Sequence, residues 1–413
     1  MSQAVGQFAL VLHAHVPYVL GHGTWPHGSE MLYEAAGETY MRLLRMLEGL
    51  VDAGRSPKIT IGITPVVQEQ LADGRFKEWF PAYLQMKADL AGDNEEEFRS
   101  QGRDHFAYLA RRWQQHYGSL LADFNERYDR DLLGAFRALQ DAGHIEVMTS
   151  AATHGYFPLL REDASIQAQV KQGIATYEKH FGRRPKGFWL PECGYRPRYH
   201  WQPPVVPVGD KPPPFPRKGV EEFLGENGID YFFADSHMLE YAGPPMPVEI
   251  DRRDTLGKLW SRIFHIREPR PYHGTKSCYR PYFVGSAFED HPPVAAFIRD
   301  PETGIQVWSG EHGYPGDFWY LDFHKKHFPG GHRYWRVTDA GNDLGSKQDY
   351  APDMARRQVE THAGNFLWMI KEVLKHHPSP DDKPPILCAP FDAELFGHWW
   401  FEGPRWIALV LYK

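Results

Sequence analysis

Short apolar runs alternate along this chain with longer stretches whose apolar residues recur at helical spacing. The first run, residues 8–12, is broken at His13. It leads into a helical pattern over about 30–53, closed by Gly54. Strand-like runs follow at 58–63, 144–149, 187–190, 231–234, 294–298 and 386–389, and helices are predicted over about 164–181 and 352–377. Strands alternating with helices predict an α/β fold built on a parallel sheet. Residues 74–142 are charged and helical in pattern but too long for a simple crossover, which predicts a helical insertion. Two segments break the alternation. Residues 203–216 are too rich in proline for a helix or an inner strand. Residues 239–281 form a long Pro-, Gly-, Tyr- and Arg-containing loop, of the kind that in a compact domain is either functional or disordered.

Composition narrows the function more than the fold. The 413 residues are 42% hydrophobic, enough for one large domain. A net charge of −7 with no basic stripe argues against a nucleic-acid partner. No run approaches the 18 or so apolar residues of a membrane span, and the N-terminus lacks the basic region and cleavage site of a signal peptide. Three cysteines, an odd number without a C-x-x-C pair, point to a reducing compartment and hence the cytoplasm. Aromatic residues at 14% tilt mildly toward carbohydrate.

The chemistry lies where apolar runs end, as in α/β barrels. Glu192 follows the run 187–190, with Pro191 before it, and Asp392 follows the run ending at Ala389-Pro390. Two carboxylates from different strand ends suit glycoside chemistry. A retaining mechanism needs them roughly 5–5.5 Å apart. Alone, either would more often be a salt-bridge partner or a helix cap. His13 and His15 alternate onto one face of a strand. They could bind a metal, with His154 or Asp235 as third ligand, or hydrogen-bond sugar hydroxyls. No H-E-x-x-H or Cys cluster supports the metal reading. His398, Trp399 and Trp400 suit either a sugar platform or the core.

Taken together the chain resembles glycoside hydrolase family 57. The resemblance rests on four segments in order: His13-Ala14-His15-Val16-Pro17-Tyr18; Gly143 to Val147 running on to Thr153-His154-Gly155-Tyr156; Trp189-Leu190-Pro191-Glu192-Cys193; and Phe391 to Pro404. It implies a distorted (β/α)7 barrel with Glu192 as nucleophile and Asp392 as general acid/base. Gly23 to Pro26, Val307 to Ser309, Gly313 to Asp317 and Tyr334 to Thr338 look like the 1,4-α-glucan branching enzymes of that family. That likeness implies an α-glucan substrate and a groove lined by Trp25 and Trp308. Relatives continue into a helical C-terminal domain, so the resemblance also implies that this domain is truncated or absent here. Expected substrate contacts are His13, His15, Trp25, His154, Trp189, Asp235, Trp308, His398, Trp399 and Trp400, with no metal and no cofactor. A 4-α-glucanotransferase, an amylase-type hydrolase, a metal-dependent hydrolase and a weakly active glucan-binding relative remain as alternatives. Tyr241 and Tyr272 make the loop 239–281 a candidate lid favouring transfer over water.

Overall fold

The computed structural model describes residues 5–202, 213–240, 276–285, 292–309, 312–339, 341, 343–377 and 383–412. Most of the expected lid, including Tyr241 and Tyr272, lies outside them, as do residues 203–212.

Ten strands are present among the described residues: β1 (Gln7–Ala14), β2 (Ile59–Ile63), β3 (Ile145–Ser150), β4 (Gly187–Trp189), β5 (Tyr199–Trp201), β6 (Phe215–Arg217), β7 (Tyr231–Ala234), β8 (Tyr282–Val284), β9 (Val294–Ile298) and β10 (Ile386–Asp392). Eight form one sheet in the order β10-β1-β2-β3-β4-β7-β9-β8. Every neighbouring pair is parallel except β8 with β9. The other two, β5 and β6, pair as a separate antiparallel ribbon. The expected α/β class and mostly parallel sheet are therefore present.

The first and last strands of the chain are neighbours. Gln7 to His13 run in register with Ile386 to Asp392, which sets His13 directly beside Asp392. On the other flank of β10, Arg299 makes a single parallel bridge to Cys388, and the Asp300 amide donates to the Cys388 carbonyl at 2.9 Å. With only that bridge on one flank, β10 tolerates Pro390, which has no N–H to give. Val11, Met148, Trp189, Phe233 and Cys388, drawn from β1, β3, β4, β7 and β10, form one buried cluster.

Helices cover the sheet. Ser29–Glu34 continues through a π-helical turn, Ala35–Tyr40, into Met41–Asp52, and the chain then passes Gly54 at φ +74°. Asp163–Phe181 and Pro352–His376 occupy the two other predicted helical stretches. Between β2 and β3 lie Pro65–Ala72, Gly74–Ser100, Asp104–Ala122 and Leu132–Asp141, and all four supply apolar side chains to the largest core cluster. No helix among the described residues is long and apolar enough to cross a membrane.

Candidate active site

Parallel strands deliver their C-terminal ends to one side, and the polar residues there come together around two cavities of about 900 and 500 Å³. The cavities share three residues, Glu192, Trp308 and Asp392.

Glu192 is placed by a tight turn after β4. Cys193 and Gly194 donate backbone N–H bonds to Leu190 and Pro191, both at 2.9 Å. Glu192 and Cys193 sit at φ +53° and +52°, a left-handed conformation that side chains other than glycine's adopt at a cost. The turn throws the carboxylate into the opening, where its side chain is 76% exposed and Oε1 lies 3.7 Å from His154 Nε2.

Asp392 ends β10 across the opening. Desolvation, and then the charge of Glu192, raise its carboxyl, the Arg299 guanidinium opposes both, and the group rests at about 6. Arg299 itself is held by Asp235 Oδ2 at 3.1 Å and by the Pro390 carbonyl at 3.4 Å. Burial raises the Asp235 carboxyl, but a 3.0 Å bond from His237 and the Arg299 charge outweigh it and leave the group low.

The three histidines form a stack. His13 and His15 project to one side of β1, and the His154 ring lies 4.9 Å from the first and 4.0 Å from the second. The Trp189 indole lies 4.6 Å from His13. Burial lowers His15 to about 4 and His154 to about 3, and holds His13 well below the usual range, so all three are neutral near pH 7. The hydrogen-bond network assigns their protons. Ser150 Oγ donates to the Trp189 carbonyl at 2.8 Å, so it accepts from His154 Nδ1 at 3.3 Å. His154 Nε2 then accepts from His13 Nε2 at 3.4 Å, which leaves His13 Nδ1 without a proton. That atom is buried and has no partner. His15 Nδ1 meets Thr64 Oγ1 at 3.2 Å. Among the described residues no group of three or more His, Cys, Asp or Glu side chains could hold a metal ion. Asp235, the other candidate third ligand, is engaged by Arg299 and His237 and lines the larger cavity.

His398 and Trp399 line the smaller cavity. His398 Nδ1 meets Glu38 Oε2 at 3.2 Å, and its backbone N–H donates to Thr39 at 3.2 Å. Gly397 before it has φ +118°, and a Cβ there would lie 2.0 Å from the Glu38 carbonyl, so only glycine lets the strand-end loop meet the π-helical turn. Trp400 corrects the sequence reading. It is 1% exposed and packs against Phe396, Tyr320 and Trp406, because the tight loop that turns Trp399 outward turns its neighbour into the core. Trp25 is 73% exposed and lines neither cavity.

Two residues at the site escaped the sequence reading. Arg299 stands one position past β9, a strand end like the others, and that position was its only signal. Glu394, two beyond Asp392, is half-buried in the wall of the smaller cavity, where Tyr40 and the His15 amide donate to its Oε1. Burial pushes its carboxyl up to about 8.

The model of Glycosyl hydrolase family 57 matches residues 9–399. A 1,4-alpha-glucan branching enzyme of Thermococcus kodakarensis is 42% identical over 98% of this chain; the chain spans 55% of that relative's length. A crystal structure of a family 57-type branching enzyme from Pyrococcus horikoshii is similar with a TM-score of 0.82 at 40% identity, covering 99% of this chain and 67% of that one. The alpha-amylase AmyC of Thermotoga maritima is similar with a TM-score of 0.75 at 29% identity, covering 98% and 71%.

Proposed function

Because the chain belongs to glycosyl hydrolase family 57, we propose that it is a 1,4-α-glucan branching enzyme that works by retaining double displacement on an amylose-, starch- or glycogen-like polymer. The observation that carries the chemistry is that Glu192 and Asp392, from two strand ends, both stand at the shared wall of two cavities. Glu192 attacks the anomeric carbon of an α-1,4 bond while Asp392 gives its proton to the departing O4. Asp392, now a base, takes the proton of an acceptor's 6-hydroxyl, whose oxygen displaces Glu192 and forms the α-1,6 bond. The neutral histidines and His398 hydrogen-bond the sugar being transferred, without a metal, and Trp308 and Trp399 offer ring faces to it, whereas Trp189, 3% exposed, backs the His13 ring from the core. Asp235 extends the groove along the larger cavity, and a groove role for Trp25, which lies outside both cavities, rests on the family resemblance alone.

We read the sheet as a distorted (β/α)7 barrel. Seven parallel strands, the bridge at Arg299 and Cys388, and the cluster drawn from five strands support this. The helices of 74–142 are its insertion. The three free cysteines favour a cytoplasmic setting.

The likeness to AmyC keeps plain hydrolysis as the second reading. Incubation with amylose, followed by debranching and chain-length analysis, separates the two. New α-1,6 branches in excess of new reducing ends are expected. Reducing ends without branches would replace the branching reading with the hydrolytic one. Glu192→Gln should lower both transfer and hydrolysis by several orders of magnitude, and a variant keeping a tenth of the activity removes Glu192 from its role.

A further inference from the structure

Trp308, at the end of the helix Pro301–Trp308, is 42% exposed and lines a third cavity as well as the two that hold the carboxylates. This cavity measures about 380 Å³ and touches neither Glu192 nor Asp392. It meets the 500 Å³ cavity across Trp308, Leu395 and Trp399, and the 900 Å³ cavity across Trp308 and Ser309. Its size lies within the range of small-ligand pockets.

The walls are built for a neutral, ring-shaped ligand. Phe323 stacks on Trp399 with centroids 4.2 Å apart and planes 24° apart, and Trp399 is 51% exposed. The charged groups in the lining are satisfied within the protein. Lys347 Nζ meets Asp322 Oδ2 at 3.1 Å and donates to the carbonyls of Val337 and Asp339 at 2.7 and 3.1 Å. Asp322 Oδ1 accepts from the amides of His324 and Lys325 at 2.9 and 2.7 Å. Both side chains are buried. A phosphate or carboxylate would find the lysine already neutralised, whereas a sugar needs only ring faces and hydroxyl partners.

Hydrolysis involves two chain segments, one on each side of the cleaved bond. Transfer to a 6-hydroxyl brings a third. The attacking oxygen hangs off the acceptor's ring, so the acceptor's main chain passes the catalytic centre on a different line from the chain that left through O4. We propose that the cavity walled by Phe323, His324 and Trp308 is a binding arm for the α-1,4-glucan acceptor chain, and so a determinant of branching over hydrolysis. This rests on the branching reading above.

The test uses the full chain with Phe323→Ala, which removes a wall, and His324→Trp, which fills the mouth from an exposed position and keeps the backbone bond to Asp322. Each variant is first checked for an unchanged circular-dichroism spectrum. Hydrolysis of a short chromogenic maltooligosaccharide, with no acceptor added, should stay within twofold of the parent. With maltoheptaose as added acceptor, the acceptor KM should rise at least fivefold and the ratio of branches to reducing ends should fall by a similar factor. An unchanged ratio in both folded variants overturns the arm, and so does a rise confined to the donor KM, which would assign the cavity to the transferred chain. A parent protein that makes no branches defeats the branching reading instead, a result distinct from either.

Discussion

At the residue scale the site depends on where protons sit. In the proposed mechanism Asp392 is the general acid and must hold a proton when the bond breaks. Its carboxyl, raised to about 6 by burial and by Glu192, therefore sets the alkaline limb of the rate profile. Arg299 favours the charged form, so Arg299→Gln should move that limb to higher pH. A kcat/KM profile that does not move would show that the guanidinium has no influence on Asp392. Glu394 makes a stability prediction. Its folded value of about 8 exceeds the ordinary carboxylate value, so its contribution is full at low pH and is lost as pH rises through about 8. Glu394→Gln keeps an oxygen for the Tyr40 hydroxyl and the His15 amide but cannot ionise. Thermal midpoints across the pH range should show the parent losing ground to the variant between about pH 4.5 and about pH 8, with the difference constant above that. Parallel curves would place the ionisation elsewhere. The carboxylates Glu192 and Asp392 were legible in the sequence because each ends an apolar run. Arg299 also ends an apolar run, 294–298, but a single arginine there pairs with nothing in the sequence, and only folding shows which carboxylates it will face.

At the element scale one short helix joins fold to site. Asp300 caps Pro301–Trp308 by accepting from the Thr303 amide at 2.7 Å, and its other oxygen accepts from the Tyr279 hydroxyl at 2.9 Å. Its own amide makes the contact to β10. Asp300→Ala loses a cap, about 1 kcal/mol, and leaves a buried hydroxyl unpartnered, about 1–3 kcal/mol. Denaturant unfolding should show a loss of about 2–4 kcal/mol for Asp300→Ala. The loss should be well under half that for Asp300→Asn, whose amide keeps an acceptor for Thr303 and offers Tyr279 a donor. Equal losses would mean that charge, rather than the bonds, matters at this position. Elements were legible in proportion to length. The run 231–234 coincides with β7, and β1 differs in starting at Gln7 and continuing through His13 and Ala14, because a backbone ladder accepts any side chain. The three-residue strands β5, β6 and β8 carry too short a pattern to read. The π-helical turn at Ala35–Tyr40 is also hidden, since six residues do not separate its period from that of an α-helix.

At the scale of the whole molecule, Cys193, Cys278 and Cys388 lie on three separate parts of the chain and all are free. Burial pushes Cys193 and Cys388 up to about 12 and Cys278 to about 11. The native protein should therefore react slowly with alkylating reagents near pH 7, release three thiols on denaturation, and show the same thermal midpoint with and without reductant. A midpoint that drops with reductant would reveal a disulfide and a different cellular setting.

The sequence by itself determined the α/β class, the helical character of 74–142 and the strand ends at which polar residues gather, because these follow from local periodicity and from residues next to one another in the chain. It also contained the segments that carry the family resemblance. Only the tertiary structure decided which strand ends meet. Pairing the first strand with the last puts His13 beside Asp392 across almost the whole length of the chain. Only packing could divide the two tryptophans after His398, one into a cavity wall and one into the core, since adjacent residues of a loop have no fixed period. The proton states of Asp392, Glu394 and the stacked histidines belong to the same class. They depend on burial and on charges brought together by folding, and neither is a property of a residue's neighbours in sequence.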